Sequence, residues 1–234
     1  MGMNKQLTIV IPCKNEGRGV IDTLKLIRKQ QLDCQVIIAD SSDDEGTLLL
    51  LRKYQANSTT ITRIVRGGLP SVARNNGAAY VRTPYVLFLD ADIYLKDSSI
   101  ITKCITTIIG GNYDLVTCKF KTLDGKYDWI FRIFNIVQGF SSIFTPFAVG
   151  GFMLFKVDTF RALGGFNEEA KVAEDYLLSS KIKPSKFKVV NKVAYTSSRR
   201  FEKKGVWYMV KLMLGSWLNK NNPNWFKDDH NYWK

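Results

Sequence analysis

The sequence predicts an α/β protein built on a mostly parallel sheet with helices on both faces. Three observations carry that prediction. Short apolar runs recur before residue 95, and each is followed by a stretch whose apolar residues fall at helical spacing. Parallel strands need crossover helices, so the alternation selects a parallel sheet. The runs also end on Pro12, Asp40 and Asp90. In open α/β sheets the carboxyl ends of strands are where ligands bind.

The elements follow in order. Leu7 to Pro12 is a β-rich run stopped by proline, and Gly17 to Gln30 repeats Val20, Ile21, Leu24 and Ile27 at helical spacing. Gln35 to Asp40 gives a second strand, Ser41 to Asp44 a loop rich in capping residues, and Thr47 to Tyr54 a second helix. Thr60 to Val65, Ser71 to Val81 and Tyr85 to Leu89 continue the pattern as strand, helix and strand.

After Leu95 the rhythm changes. Ser98 to Ile109 reads as a helix, Asp114 to Lys121 as a strand, and Tyr127 to Phe144 as an aromatic helix. Gly150 to Phe155 reads as a strand, Val157 to Leu163 and Ala173 to Lys181 as short helices, and Lys188 to Val190 and Val193 to Thr196 as two short strands. No Pro/Gly/Ser-rich linker separates the halves, so residues 1–205 read as one domain. Residues 7–95 form its first half and 96–205 an α+β elaboration of the same sheet, followed by a basic, aromatic extension over 206–234.

Composition bounds the partners. At 234 residues with 45% hydrophobic content the chain can build a sizeable core. The four cysteines, Cys13, Cys34, Cys104 and Cys118, show no metal or disulfide spacing, which suits reduced thiols in a cytoplasmic protein. The segment Met1 to Gln6 lacks the apolar core of a cleavable signal, and no uncharged run reaches the roughly 18 residues of a spanning helix. The net charge is +13, and residues 181–234 carry 13 Lys and Arg against 3 Asp and Glu. Such an excess favours anionic partners: nucleotide phosphates, nucleic acid or the acidic inner face of a membrane.

The segment VLFLDADIYL (Val86 to Leu95) sets Asp90 and Asp92 one residue apart behind a strand. Two like charges so close disfavour one another's ionisation unless a cation or open water compensates. If the extended geometry persists, both side chains point the same way and offer oxygens to Mg²⁺ or Mn²⁺ bridging a diphosphate. A solvated strand-end loop is the alternative on spacing alone.

The ordered set VIPCKNE (Val10 to Glu16), IIADSSDDEGT (Ile37 to Thr47), ARNNGA (Ala73 to Ala78), LDAD (Leu89 to Asp92), GGF (Gly150 to Phe152), GGFNE (Gly164 to Glu168), ED (Glu174-Asp175) and SSRRFEKKG (Ser197 to Gly205) resembles family 2 glycosyltransferases of the GT-A fold. The resemblance covers about residues 7 to 205. It implies transfer of a sugar from a nucleotide donor, commonly a UDP-sugar, with inversion at the anomeric carbon. It also implies that Pro12, Lys14, Glu16, Asp40, Arg74, Asp90, Ala91 and Arg200 contact the nucleotide-sugar, and that Asp92 with Asp90 holds the metal. Lys14 stands where the family often has an aromatic residue, so a charge replaces a stacking contact. Arg199 and Arg200 occupy the place of the family's late arginine, without its flanking glutamine and tryptophan.

In the family the ED pair supplies the general base, and by position this is Asp175. A base suits a hydroxyl acceptor on a glycan or glycolipid, because a lipid-phosphate acceptor is already an anion. The helix dipole alone also favours acids in a first turn, which leaves capping as the other reading of the pair. His230, in KDDHNYWK, is either a third metal ligand or an exposed tail residue. Trp129 to Phe147 is expected to pack on the core or cover the acceptor rather than to contact a membrane. Val206 to Leu218 is too short to span a bilayer and either lies on an anionic membrane or docks on the sheet. The rival readings are a polyprenyl-phosphate glycosyltransferase, a sugar-phosphate nucleotidyltransferase and a non-catalytic binder of nucleic acid or membrane. The loop PCKNEGRG fits the nucleotidyltransferases poorly, and the resemblance leaves no role for nucleic acid.

Overall fold

The computed structural model describes residues 6–30 and 32–233. The first half alternates as expected: β1 (Leu7–Cys13), α1 (Arg18–Lys29), β2 (Cys34–Asp40), α2 (Glu45–Ala56), β3 (Ile61–Arg66), α3 (Pro70–Ala78) and β4 (Tyr85–Leu89). The second half adds α4 (Ile100–Gly110), β5 (Leu115–Thr122), α5 (Asp128–Phe144), β6 (Phe152–Lys156), α6 (Val157–Ala162) and α7 (Glu174–Ser179). It closes with β7 (Phe187–Thr196), α8 (Arg199–Lys204), α9 (Val206–Leu218) and α10 (Pro223–Lys227).

The strands form one sheet in the order β3-β2-β1-β4-β6-β5-β7. All are parallel except β6, which runs antiparallel to both β4 and β5. The carboxyl ends of the six parallel strands therefore share one edge with the amino end of β6. That geometry gathers Cys13, Asp40, Leu89, Thr122 and Thr196 along one rim, and it brings Gly150-Gly151, just before β6, beside the end of β4.

Alternation along the strands builds two cores. Ile9, Ile11, Leu87 and Leu89 point to one face with α1 and α4, whereas Val10 and Phe88 point to the other with Met153, Phe155, Phe160 and Phe166. Helix α3 lies close against β1 at Gly77, where a Cβ would stand 2.3 Å from Val10 Cγ1. Burial pushes the Cys13 and Cys104 thiols up to about 12, so they stay protonated.

Four elements depart from the sequence expectations. The two short strands after Lys186 are one strand, β7, whose register slips between Cys118 and Lys119 so that Asn191 and Lys192 bulge out of the ladder. Lys192 instead reaches Asp97 at 2.6 Å. Helices α8 and α10 were not expected; α10 starts at Pro223 with the Asn222 side chain accepting the Asn224 N–H, a start signal present in NNPN. The aromatic helix α5 corrects the expectation of core packing, because only Phe131 and Gln138 of its 17 residues are buried.

Candidate active site

The LDAD segment is a turn, not an extended strand end. Strand β4 stops at Leu89, and the Ile93 N–H donates to the Asp90 carbonyl at 3.2 Å. Two neighbours fix the turn: the Asp90 N–H donates to the Gly151 carbonyl, and the Thr23 hydroxyl donates to the Ala91 carbonyl at 2.6 Å. The Ala91 side chain is buried, so this residue shapes the turn. The expectation that both carboxylates follow strand geometry is thus corrected, although they remain close enough to act on each other.

Arg74 organises the centre. Its Nη2 donates to Asp90 Oδ1 at 2.7 Å and its Nη1 to Glu174 Oε1 at 2.6 Å, with the arginine side chain 4% exposed. One guanidinium fork thereby joins the acid after β4 to the first acid of α7, across 100 residues of sequence. The position expected to touch the nucleotide is a buried clamp, with one N–H of each terminal nitrogen given to a carboxylate. The clamp needs Gly150, where a Cβ would stand 2.6 Å from Arg74 Nη2.

Asp175 follows directly. Ala173, in the left-handed region at φ 51, turns the chain into α7 immediately before the acidic pair. Asp175 Oδ2 accepts the Gly150 N–H at 2.7 Å and Oδ1 accepts the Tyr176 N–H at 2.7 Å. Each oxygen keeps a further lone pair able to take a proton. Burial and the adjacent Glu174 outweigh these two hydrogen bonds and the nearby Arg74, and push the Asp175 carboxyl up to about 6. Such a group is suited to general-base work near neutral pH.

Asp92, Asp90 and Glu16 form a second knot. Burial and the Asp90 charge raise the Asp92 pKa against the opposing pull of Arg200 and Arg199. Burial and the Asp92 charge likewise raise Glu16, whose Oε1 lies 4.0 Å from Arg199 Nη2. Asp92 and Glu16, both raised by burial and by acids beside them, form with Asp90 a cluster of like charge that a divalent cation would relieve. Asp92 and the Asp90 oxygen not held by Arg74 are the donors best placed for it, with Glu16 beside them. Among the described residues no three acids, histidines or cysteines already stand at ligand spacing.

Of the two arginines that open α8, Arg199 is largely exposed, whereas Arg200 lies under a ring, with its Cζ 4.8 Å from the centroid of Tyr232. Desolvation works against the Arg200 charge, but Tyr232, Asp92, Asp90 and Glu174 together raise its pKa. Sequence reasoning missed Tyr232. Its phenol is shifted up by burial and by Glu174, Asp175 and Asp90, against the pull of Arg200. The only sequence signal was its position two residues beyond His230.

The remaining expected residues separate into two groups. Pro12 and Asp40 lie side by side at the rim, in the register Pro12↔Ala39 and Cys13↔Asp40, and Asp40 Oδ1 accepts the Ser42 hydroxyl at 2.7 Å. Lys14 is exposed and pairs with Asp43 at 3.1 Å. His230 stands in the tail with its Nε2 bonded to the Trp225 carbonyl at 2.8 Å and its ring 4.1 Å from the Trp225 ring. That nitrogen is bonded to the backbone, and the tail residue set against Arg200 is Tyr232.

Residues 8–164 match the model of the family described as glycosyl transferase family 2. The chain belongs to that family. It is similar to the glycosyltransferase GlyG of Streptococcus pneumoniae serotype 4, with 26% identity over 206 residues, covering 77% of this chain and 68% of GlyG. It also resembles a 4,4'-diaponeurosporenoate glycosyltransferase of Staphylococcus aureus, 26% identical and covering 65% of this chain but 39% of that protein. The chain thus spans well under half the length of the second relative. Among solved structures, the mannosyltransferase PcManGT of Pyrobaculum calidifontis, in complex with GDP-Man and Mn²⁺, superposes with a TM-score of 0.71 at 18% identity, covering 99% of this chain and 69% of its own. Glucosyl-3-phosphoglycerate synthase of Mycobacterium tuberculosis, with Mn²⁺ and UDP, gives a TM-score of 0.64 at 15% identity, covering 93% and 80%. These likenesses establish the GT-A fold, a mostly parallel, helix-flanked sheet, and the family match makes the chain a glycosyltransferase.

Proposed function

We propose that the protein is a metal-dependent inverting glycosyltransferase that moves a sugar from a nucleotide-sugar, of the UDP class, to a hydroxyl of a glycan or glycolipid. One observation carries this reading. A single buried arginine ties the acid of the donor-side turn, Asp90, to the α7 pair that contains a carboxylate of raised pKa, Asp175. Donor and acceptor chemistry then meet at one point on the sheet edge.

The nucleotide lies along the rim of residues 7–95, with Pro12, Lys14 and Asp40 on its base and ribose side. Asp92, Asp90 and Glu16 are the residues that would hold Mg²⁺ or Mn²⁺, and such an ion would supply Lewis-acid neutralisation of the diphosphate charge. Arg200 adds a fork matched to phosphate oxygens, with Arg199 behind it. Asp175 takes the proton of the acceptor hydroxyl as that oxygen bonds to the anomeric carbon. The bond from that carbon to the diphosphate breaks on the opposite side, so configuration inverts and a nucleoside diphosphate leaves.

A pre-ionised acceptor such as a polyprenyl phosphate needs no base and would be repelled by the Glu174-Asp175 pair, which favours a hydroxyl. Exposed Trp207, Leu214 and Trp217 on α9 support a peripheral membrane contact through 206–218 at a cytoplasmic face. Among the described residues no helix is long and apolar enough to cross a membrane. The test is transfer by Asp92→Ala and Asp175→Asn with an identified donor and acceptor. Loss of at least about 10²-fold in kcat for each is expected, and normal transfer by both would overturn the mechanism.

A further inference from the structure

We infer that α5 and the basic groove beside it form a docking surface for an anionic lipid bilayer, extending the contact proposed for α9 and independent of the transfer chemistry. Helix α5 runs for 17 residues, about 25 Å at the usual rise. Trp129, Ile133, Ile136, Val137, Phe140, Ile143 and Phe144 are all more than half exposed along it. Their spacing of three and four residues makes one continuous apolar stripe. Monomeric proteins rarely leave so long a stripe open to water without a partner.

The groove supplies the chemistry of the partner. An open cleft of about 570 Å³ runs between α5 and β5, and Lys119, Lys121 and Arg132 line it together with Ile136, Phe140 and Ile143. Asp128, 3.7 Å from Lys121, is its single acid, and Arg132 has no ionic partner among the described residues. Cations and apolar side chains thus open to the same side. At a bilayer surface the apolar chains enter the acyl boundary while lysine and arginine meet anionic headgroups, and tryptophans settle at the interface.

A second copy of the chain fits less well. A two-fold interface sets the same patch on both partners, so the stripe would carry these cations against one another. The face also continues towards α9. Phe201 of α8 stacks on Tyr127 at 5.1 Å and meets Phe131 at 5.7 Å. Only Gly205 separates α8 from α9, where Trp207 is 77% exposed. Residues 181–234 carry a net charge of +10.

The experiment is co-sedimentation of the full chain with vesicles of phosphatidylcholine alone or with phosphatidylglycerol, at low and high salt. Three variants are compared: Ile136→Glu/Phe140→Glu, Lys119→Glu/Arg132→Glu and Trp207→Glu/Leu214→Glu, each checked for an unchanged melting temperature. Wild type is expected to partition at least about tenfold more onto the anionic vesicles, and high salt weakens that preference. The Ile136→Glu/Phe140→Glu pair loses about tenfold or more, and the Lys119→Glu/Arg132→Glu pair loses the preference for anionic lipid. Equal binding to both vesicles overturns the proposal. If only the α9 pair releases the protein, the α5 surface is wrong and the α9 contact stands. A dimer in solution that Ile136→Glu/Phe140→Glu breaks, without vesicle binding, also overturns it.

Discussion

A methyl group at Gly150 should disable the protein from a distance. In Gly150→Ala the new Cβ would stand 2.6 Å from Arg74 Nη2 and 3.0 Å from its Cζ. The end of an arginine normally swings away at little cost. Here it cannot, because Nη1 and Nη2 are pinned by Glu174 and Asp90 in a site that leaves the side chain 4% exposed. Moving it stretches two charge-assisted hydrogen bonds, each worth about 1.5–3 kcal/mol. Allowing for partial relaxation, the loss is about 2–4 kcal/mol, or roughly 4–16 °C in melting temperature for a chain of this size. The Asp175 carboxylate also leans on the Gly150 N–H. A shift of about 1 Å there is expected to cost on the order of 10²-fold in kcat. Urea melts and steady-state transfer measure both effects. A double-mutant cycle isolates the cause, since in an Arg74→Met background the Gly150→Ala change should cost almost nothing further. A melting temperature and kcat indistinguishable from the parent, or full additivity with Arg74→Met, would refute the clamp.

The raised Asp175 carboxyl predicts an acid limb in kcat near pH 6, with activity rising as the base deprotonates through that value; a flat profile from pH 5 to 8 would count against the assignment. The same shift has a sign for stability. The folded-state pKa lies above the ordinary value of 3.8, so the group favours the fold at low pH, and that contribution fades as pH rises through about 6. Comparing melts of the parent with Asp175→Asn across pH 4–7 should show the difference between them changing in that direction. Tyr232→Ala uncovers Arg200 by removing a cation–π contact of about 0.5–2 kcal/mol, so UDP affinity should rise about 2- to 30-fold while Tyr232→Phe stays near the parent. Weaker binding in both variants would make Tyr232 a donor contact instead.

The first half of the fold was legible because its signals are local. Alternating apolar runs and helical spacing placed β1 to β4, and Tyr85–Leu89 fell on the expected residues. The bulge in β7 was not, since the polar Asn191-Lys192 interrupts the apolar pattern in the same way that a true break does. The exposure of α5 was hidden for a different reason: aromatic content reports what a helix can bury, not what stands opposite it. At the site, residue types pointed to the acids, but their division of labour is a matter of three-dimensional pairing. Arg74 reads as a nucleotide contact in sequence because nothing local reveals Glu174, 100 residues on, as its second partner. His230 was the conspicuous residue of the tail, yet the backbone takes its Nε2 and it is Tyr232, two residues on, that covers Arg200.

The central claim is that a nucleoside diphosphate binds this edge through a cation held by Asp92. A thermal-shift titration of UDP and GDP, with and without Mn²⁺, on the parent and on Asp92→Ala tests it directly. The account predicts that UDP at about 100 times its Kd stabilises the parent by about 2.7 kcal/mol only when Mn²⁺ is present. That is a rise of about 5–11 °C for a chain of this size, absent in Asp92→Ala. Equal stabilisation without the metal, or undiminished stabilisation of Asp92→Ala, would contradict it.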